Sequence, residues 1–106
     1  MIDEGMKKAI EKLAMEELER SNKRHSLFNS THEGYAVIKE EVEEAEEELN
    51  DMQGKLLTIW CNVRNDNAYG TMDGHVEILR KFALNLAAEA IQVAAMCSKF
   101  IESTKY

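Results

Sequence analysis

A run of apolar residues at helical spacing constrains the fold of this chain more than any other feature. The run is Tyr35, Ile38, Val42, Ala45, Leu49, Met52 and Leu56, with steps that alternate between three and four residues. Because an α-helix turns once in about 3.6 residues, these side chains share one face. The pattern predicts one long amphipathic helix whose apolar face another element must cover.

The start of this helix has its own signal. Ser30 is followed three residues later by Glu33, a capping box in which each side chain accepts a backbone N–H at the helix start. The chain contains no proline and only five glycines, and a proline inside a helix would cost about 3 kcal/mol. The helix is therefore expected to continue through Gly54 to about Arg64.

Two further helices are predicted on either side of the long one. The first runs from about Asp3 to Lys23, and the stretch 20–29, where the period is lost, is predicted to be a connector. The stretch 65–74 is rich in turn residues, and Asp73 is the predicted cap of a last helix from about His75 to Ser103. The apolar stripes are Met6, Ala9, Ile10, Leu13 and Ala14 in the first helix and Leu79, Phe82, Leu86, Ala90, Val93, Met96, Cys97 and Phe100 in the last.

These elements predict an all-α fold, an antiparallel bundle of about three main helices. With 106 residues, one domain spanning 1–106 is expected, and a chain this short buries only part of its surface. We therefore expect a homodimer or a higher homo-oligomer, in which a second copy completes a four-helix-type core.

Composition and charge restrict the expected cellular location of the protein and its expected binding partners. Cys61 and Cys97 each lie within an apolar helical pattern, as expected for two reduced, buried thiols in the cytoplasm. The N-terminus is charged and periodic, unlike a signal peptide, and no run approaches the length of a membrane span. A net charge of −7 without a basic stripe argues against direct binding of nucleic acid.

The negative charge is concentrated in one segment. Residues 33–51 contain nine acids and one base, Lys39, whereas the rest of the chain has eleven acids and twelve bases. At about 100° per residue, Glu41 and Glu44 lie on one side of the apolar face, one turn apart. Two such carboxylates repel each other, and a divalent cation with hard-oxygen preference, Mg²⁺, reverses that repulsion. A solvated acidic face is the alternative.

Glu89 strengthens the case for a metal site. It lies between Leu86, Ala90 and Val93 on the predicted buried face of the last helix, and an ionised glutamate is rarely buried without a partner. Two helices that each present carboxylates to a shared seam build an oxygen-rich site. A glutamate paired with lysine or arginine is the alternative.

Two stretches of the chain resemble a known family. The sequences NSTHEGYAVIKEEVEE (residues 29–44) and EAIQVAAMCSKFI (residues 89–101) are similar to the two signature helices of small MazG-like proteins, all-α nucleoside triphosphate pyrophosphohydrolases. The similarity covers roughly residues 29–50 and 79–102. In that family the ExxE and ExxD carboxylates hold Mg²⁺, the metal binds the triphosphate, and water attack releases pyrophosphate and a nucleoside monophosphate.

The resemblance implies a set of site residues and a function. Glu41 and Glu44 correspond to the ExxE pair, Glu89 to the first residue of ExxD, and Gln92 stands where the family has aspartate. The three glutamates are the implied catalytic residues, and all four residues are the implied ligands of Mg²⁺ or Mn²⁺. The expected substrate is a nucleotide. The alternative is an inactive MazG-like helical interaction protein, because a neutral amide binds a metal less strongly than a carboxylate.

Several other residues receive more ordinary predictions. Lys99, one of five cations considered for phosphate contact, is expected to be a surface cation. Trp60 is expected in the core and Tyr69 in an exposed loop. His75 shows no partner in sequence, and no histidine of the chain has the spacing of a zinc ligand.

Overall fold

The computed structural model describes residues 1–105, and they form three helices. These are α1 (Glu4–Arg24), α2 (Thr31–Arg64) and α3 (Met72–Ser103). Helix accounts for 83% of the structure, and the described residues contain no strand. The predicted all-α bundle of three main helices is thereby confirmed, and α2 extends to Arg64 as expected from its stripe.

The predicted capping box is present at the start of α2. The backbone N–H of Glu33 donates to Ser30 Oγ at 3.1 Å. The Glu33 carboxylate accepts from the backbone N–H of Asn29 at 3.3 Å, one residue earlier than the usual geometry. One free N–H group of the helix end, that of Glu33, is therefore satisfied by a side chain, and the Glu33 carboxylate holds the residue before the cap.

The cap of α3 differs from the prediction. The helix begins at Met72, and the backbone N–H of Gly74 donates to Thr71 Oγ1 at 3.3 Å. Asp73 lies in the first turn, where its negative charge still favours the positive end of the helix dipole. Asp73 was therefore the wrong residue for the cap, because the hydroxyl of Thr71 ends the loop two residues earlier.

The predicted connector after α1 was also too long at its start. Residues 20–24 are helical, and the connector begins at His25. The apolar period is lost there because the inward face of α1 becomes polar, and the helix itself continues. Asp3 caps its other end by accepting from the backbone N–H of Met6 at 2.7 Å.

The described residues form two compact units that share α2 and α3. The first contains residues 1–42 and the chain from Glu89 onward, and the second contains Glu43–Ala88. The first unit therefore holds α1 with one part of α2 and one part of α3. The second is a helical hairpin around the loop 65–71. The expectation of one domain stays a prediction.

In the first unit, the connector and α2 pack closely on α3. Gly34 is buried, and a Cβ there would meet the Phe100 ring and lie 3.1 Å from Phe28 Cδ2. The backbone N–H of Phe28 donates to Ser103 Oγ at 2.9 Å. The absence of a side chain at Gly34 therefore lets two aromatic rings approach the helix backbone, which fixes the start of α2.

In the second unit, Asn62 organises the loop. Its side chain is fully buried, its amide donates to the carbonyl of Gly70 at 3.0 Å, and its Oδ1 accepts from the backbone N–H of Tyr69 at 2.9 Å. The same amide donates to Asn67 Oδ1 at 3.3 Å, and Asn67 has a φ of 63°. Asparagine tolerates that left-handed conformation better than most residues. The loop is thus held by one satisfied polar side chain.

Most of the predicted apolar stripes are not covered within the chain. Ala95 and Met96 are the buried hydrophobic residues of the described structure. Trp60 was predicted in the core, but it is 55% exposed, with the Arg64 guanidinium 5.8 Å from its ring centroid. Tyr69 is exposed as predicted. The predicted stripes of α1 and α2 are therefore largely open to solvent, whereas that of α3 is mostly half-buried.

The length and composition of α3 bear on the expected absence of a membrane span. This helix has a mean hydropathy of 1.2 over its most apolar stretch, of which 17% is buried. By its length and composition alone α3 could cross a membrane. The core helix of a water-soluble protein can have the same length and composition.

Candidate metal site and adjoining cavity

Glu41 and Glu44 lie on consecutive turns of α2, as the sequence predicts. Both are half-buried, whereas the neighbouring Glu40 and Glu43 are exposed. The half-buried face of α2 here contains Ile38, Glu41, Glu44 and Ala45, whereas Val42 of the predicted stripe is 44% exposed. The covered face is therefore rotated from the centre of the predicted stripe toward the side on which Glu41 and Glu44 lie.

Glu89 joins this pair from α3. It is half-buried, and the carboxylate oxygens of Glu41, Glu44 and Glu89 lie within 4.8 Å of one another. Ligands at about 2.1 Å from a Mg²⁺ ion lie at most about 4.2 Å apart, so small side-chain rotations would bring all three onto one ion. Three carboxylates this close repel one another, and a divalent cation relieves that repulsion. The donor set consists of hard oxygens and fits Mg²⁺ or Mn²⁺.

Glu48 lies one turn beyond Glu44 on α2. Its Oε2 atom is buried and has no hydrogen-bond partner among the described residues. Burying a carboxylate oxygen without a partner is unfavourable, and a nearby cation would offset the cost. The periodicity of α2 already places Glu48 on the side of Glu41, although the sequence does not distinguish it from the other acids of the run.

Gln92 has a partner that the sequence did not predict. Its Nε2 donates to Glu17 Oε1 at 2.8 Å, and Arg20 donates to Glu17 Oε2 at 2.8 Å. The amide nitrogen of Gln92 is therefore occupied by a hydrogen bond to Glu17 of α1. The amide oxygen of Gln92 is left as its possible metal ligand. Glu17 was overlooked as a site residue. Its only signal in the sequence is its position within the apolar stripe of α1.

A cavity of about 680 Å³ opens in the first unit beside Glu41 and Gln92. Its polar lining contains the carboxylates Glu17, Glu33 and Glu41, the cations Arg20, Arg24 and Lys99, and the neutral or titratable side chains Ser21, His25, Ser26 and Gln92. Apolar contacts come from Phe28, Val37 and Met96. A cavity that carries both signs of charge suits a ligand that combines a cation with an anion.

Lys99 is not the surface cation that the sequence predicts. It is 2% exposed, its Nζ donates to Ser21 Oγ at 3.0 Å, and Nζ lies 5.2 Å from the centroid of the Phe28 ring. The ion pairs of the described residues do not include Lys99. Its contacts are with Ser21 of α1 and Phe28 of the connector, and its four-carbon stem allows the burial.

The remaining predictions concern residues outside the cavity. His75 does have partners: its Nε2 lies 2.6 Å from the carbonyl oxygen of Tyr69, and its Nδ1 lies 3.3 Å from Lys55 Nζ. Because a carbonyl only accepts, Nε2 carries the proton and Nδ1 accepts from the lysine. Cys61 and Cys97 are free thiols, as expected, although they are half-buried instead of fully buried.

Comparison with known proteins adds no neighbour. No family model, no curated protein and no solved structure matches this chain. The MazG-like resemblance therefore rests on the residues themselves and stays a prediction.

Proposed function

We propose that the chain is a MazG-like, Mg²⁺-dependent nucleotide pyrophosphohydrolase, which converts a nucleoside triphosphate into a monophosphate and pyrophosphate in the cytoplasm. The observation that carries the proposal is the convergence of Glu41, Glu44 and Glu89 within 4.8 Å from two helices. Glu89 is 45 positions from Glu44, so sequence periodicity alone does not bring the two carboxylates together. The adjoining cavity offers space for a phosphate-bearing ligand.

In this proposal the three glutamates hold the cation, and the amide oxygen of Gln92 is an additional ligand. When bound, Mg²⁺ would polarise the phosphates and lower the pKa of an attacking water. A carboxylate at the edge of the cluster accepts the proton of that water. The bond between the α and β phosphates breaks, and pyrophosphate leaves.

We further propose that a second copy of the chain completes the core. The predicted inward stripe of α1 is open, with Met6 52% and Leu13 49% exposed. The second unit exposes further large apolar residues, among them Leu49, Leu56, Leu57, Trp60, Val63, Val76, Ile78 and Leu84. A two-helix hairpin with such faces needs a partner, and the dimeric four-helix core is the usual solution for helices of this kind.

One observation favours the alternative, an inactive helical interaction protein. Gln92 replaces a carboxylate and bonds Glu17, so the site offers three acidic ligands and one neutral one. Fewer charged ligands weaken metal binding. In this alternative the cluster is a remnant and the bundle serves only to bind other proteins.

Calorimetric titration with Mn²⁺ and Mg²⁺ tests the proposal. Wild-type protein should bind the metal saturably, and Glu41→Gln should weaken binding by about tenfold or more because a charged ligand is lost. Glu40→Gln is the matched control, since it removes the same charge from an exposed neighbour and should change affinity little. A parallel assay should detect pyrophosphate release from nucleoside triphosphates in wild-type protein only when metal is added.

The outcome distinguishes the two functions. Metal binding with pyrophosphate release supports the enzyme. If the wild type neither binds metal at millimolar concentration nor hydrolyses any nucleotide, the interaction protein is the correct assignment.

A further inference from the structure

The cavity in the first unit has two chemically different ends. Two hydrogen bonds tie α1 to α3 along it, from Gln92 to Glu17 and from Lys99 to Ser21. From the first pair to the second the residue number increases in both helices, so α1 and α3 run parallel past the cavity. Gln92 and Lys99 are seven residues apart, about 10 Å along one face of α3.

Carboxylates line the cavity near Gln92, with Arg20 ion-paired to one of them, Glu17, at 2.8 Å, whereas cations line it near Lys99. Glu17 and Glu41 line the cavity with Gln92, whereas Arg24, one turn beyond Ser21 on the same face of α1, lines it with Lys99. Glu33 also lines the cavity, and its carboxylate accepts from the backbone N–H of Asn29 at 3.3 Å. The cations Lys99 and Arg24 therefore lie together, about two helical turns from Gln92 along α3.

Burial of Lys99 requires an explanation. An ammonium group has three donors, and the structure shows one hydrogen bond, to a neutral hydroxyl, together with the face of Phe28. A buried charge is normally paired with an opposite charge. Lys99 is 2% exposed and lines the cavity, so an anion inside the cavity would supply the missing partner.

We propose that Lys99 and Arg24 form a phosphate-binding subsite, separate from the carboxylate cluster. Phosphate oxygens accept charge-assisted hydrogen bonds from both an ammonium and a guanidinium group. The distance of about two helical turns between Gln92 and Lys99 suits an extended polyphosphate with its metal at the carboxylate cluster. That the ligand is a nucleotide rests on the proposed function, whereas phosphate binding at Lys99 does not.

Calorimetric titration with inorganic tripolyphosphate, in the presence of EDTA and at fixed ionic strength, tests the subsite without the metal. Lys99→Met, which keeps the length and burial of the side chain, should weaken binding by about tenfold or more. Arg24→Met should weaken it several-fold. Lys23→Met is the matched control, because Lys23 is exposed and does not line the cavity, and it should change the affinity by less than about twofold.

A further variant separates anion binding from packing. Ser21→Ala removes the hydrogen-bond partner of Lys99 and retains its charge, so tripolyphosphate should bind at least as tightly as to wild type. Circular dichroism checks that each variant keeps its helices. If Lys99→Met does not fold, the tripolyphosphate affinities of Arg24→Met and Lys23→Met test the subsite instead.

Two results would overturn the subsite: equal weakening by Lys23→Met and Arg24→Met, or unchanged binding in a folded Lys99→Met. Failure of the proposed function looks different. Glu41→Gln should leave tripolyphosphate binding in EDTA intact or stronger, because it removes a negative charge from the same cavity. Loss of metal binding and hydrolysis with retained tripolyphosphate binding would therefore refute the enzyme and leave the subsite standing.

Discussion

At the scale of single residues, Gly34 and Gly54 show how tertiary neighbours decide the effect of one substitution. Both lie in α2. A Cβ at Gly34 would meet the rings of Phe100 and Phe28, whereas a Cβ at Gly54 would have no heavy atom within 4 Å. Intrinsic helix propensity favours alanine over glycine at both positions by about 1 kcal/mol. Steric overlap with the aromatic rings therefore opposes the helix propensity of alanine at Gly34 and not at Gly54.

We predict opposite signs for the two alanine variants. Gly34→Ala should lower the free energy of unfolding by about 1–3 kcal/mol, because the new methyl group overpacks a buried contact. Gly54→Ala should raise it by about 0.5–1 kcal/mol through helix propensity alone. Urea denaturation followed by circular dichroism measures both. Stabilisation by Gly34→Ala would show that the aromatic rings move aside at little cost.

The hydrogen bonds that join α1 to α3 beside the cavity also depend on single residues. Glu17 and Gln92 are 75 positions apart, and Ser21 and Lys99 are 78 apart. The spacing of Glu17, Ser21 and Arg24 at steps of four and three residues places them on one helix face. That pattern could have indicated a polar continuation of the α1 stripe. Which residues of α3 they meet could not be predicted from the pattern.

At the scale of elements, the hairpin of α2 and α3 depends on a side chain instead of a glycine-rich turn. Asp66 and Asn67 both have positive φ, at 51° and 63°, a left-handed conformation that costs energy, although Asp and Asn tolerate it better than most residues. The buried amide of Asn62 offsets this strain through its bonds to Tyr69 and Gly70. The loop is therefore stabilised from within the helix that precedes it.

Asn62→Ala should destabilise the protein by about 1–3 kcal/mol, since it leaves buried loop groups without hydrogen-bond partners. Asn50→Ala is the control: Asn50 is exposed on the same helix, so the same change should be neutral or slightly stabilising there. Thermal unfolding of the two variants provides the comparison. Equal melting temperatures would mean that solvent replaces the bonds of Asn62.

At the scale of the whole molecule, the balance of exposed and buried apolar residues favours self-association. The helical pattern of each stripe is regular, yet the described residues bury few of its members. Leu57 and Trp60 of α2 are 63% and 55% exposed. Burial of such side chains contributes about 1.5–3 kcal/mol each, so a second copy that covers them would supply much of the stability of the fold.

Analytical ultracentrifugation should therefore give twice the chain mass of 12.1 kDa. Leu57→Glu should raise the dimer dissociation constant by about tenfold or more, because a charge would be buried in the contact. Asn22→Asp, which adds the same charge at an exposed position of α1, should leave the dimer unchanged. A monomeric wild type at micromolar concentration would contradict the second-copy proposal.

The sequence by itself determined the elements and part of the candidate site. The number and approximate extent of the helices, the Ser30 cap and the shared side of Glu41 and Glu44 follow from interactions within about four residues of each other, which the order of residues specifies. The burial of Lys99, the exposure of Trp60 and the bond from Gln92 to Glu17 were decided only by the tertiary structure. They depend on which helix faces meet, and that choice is made by packing between segments far apart in the chain.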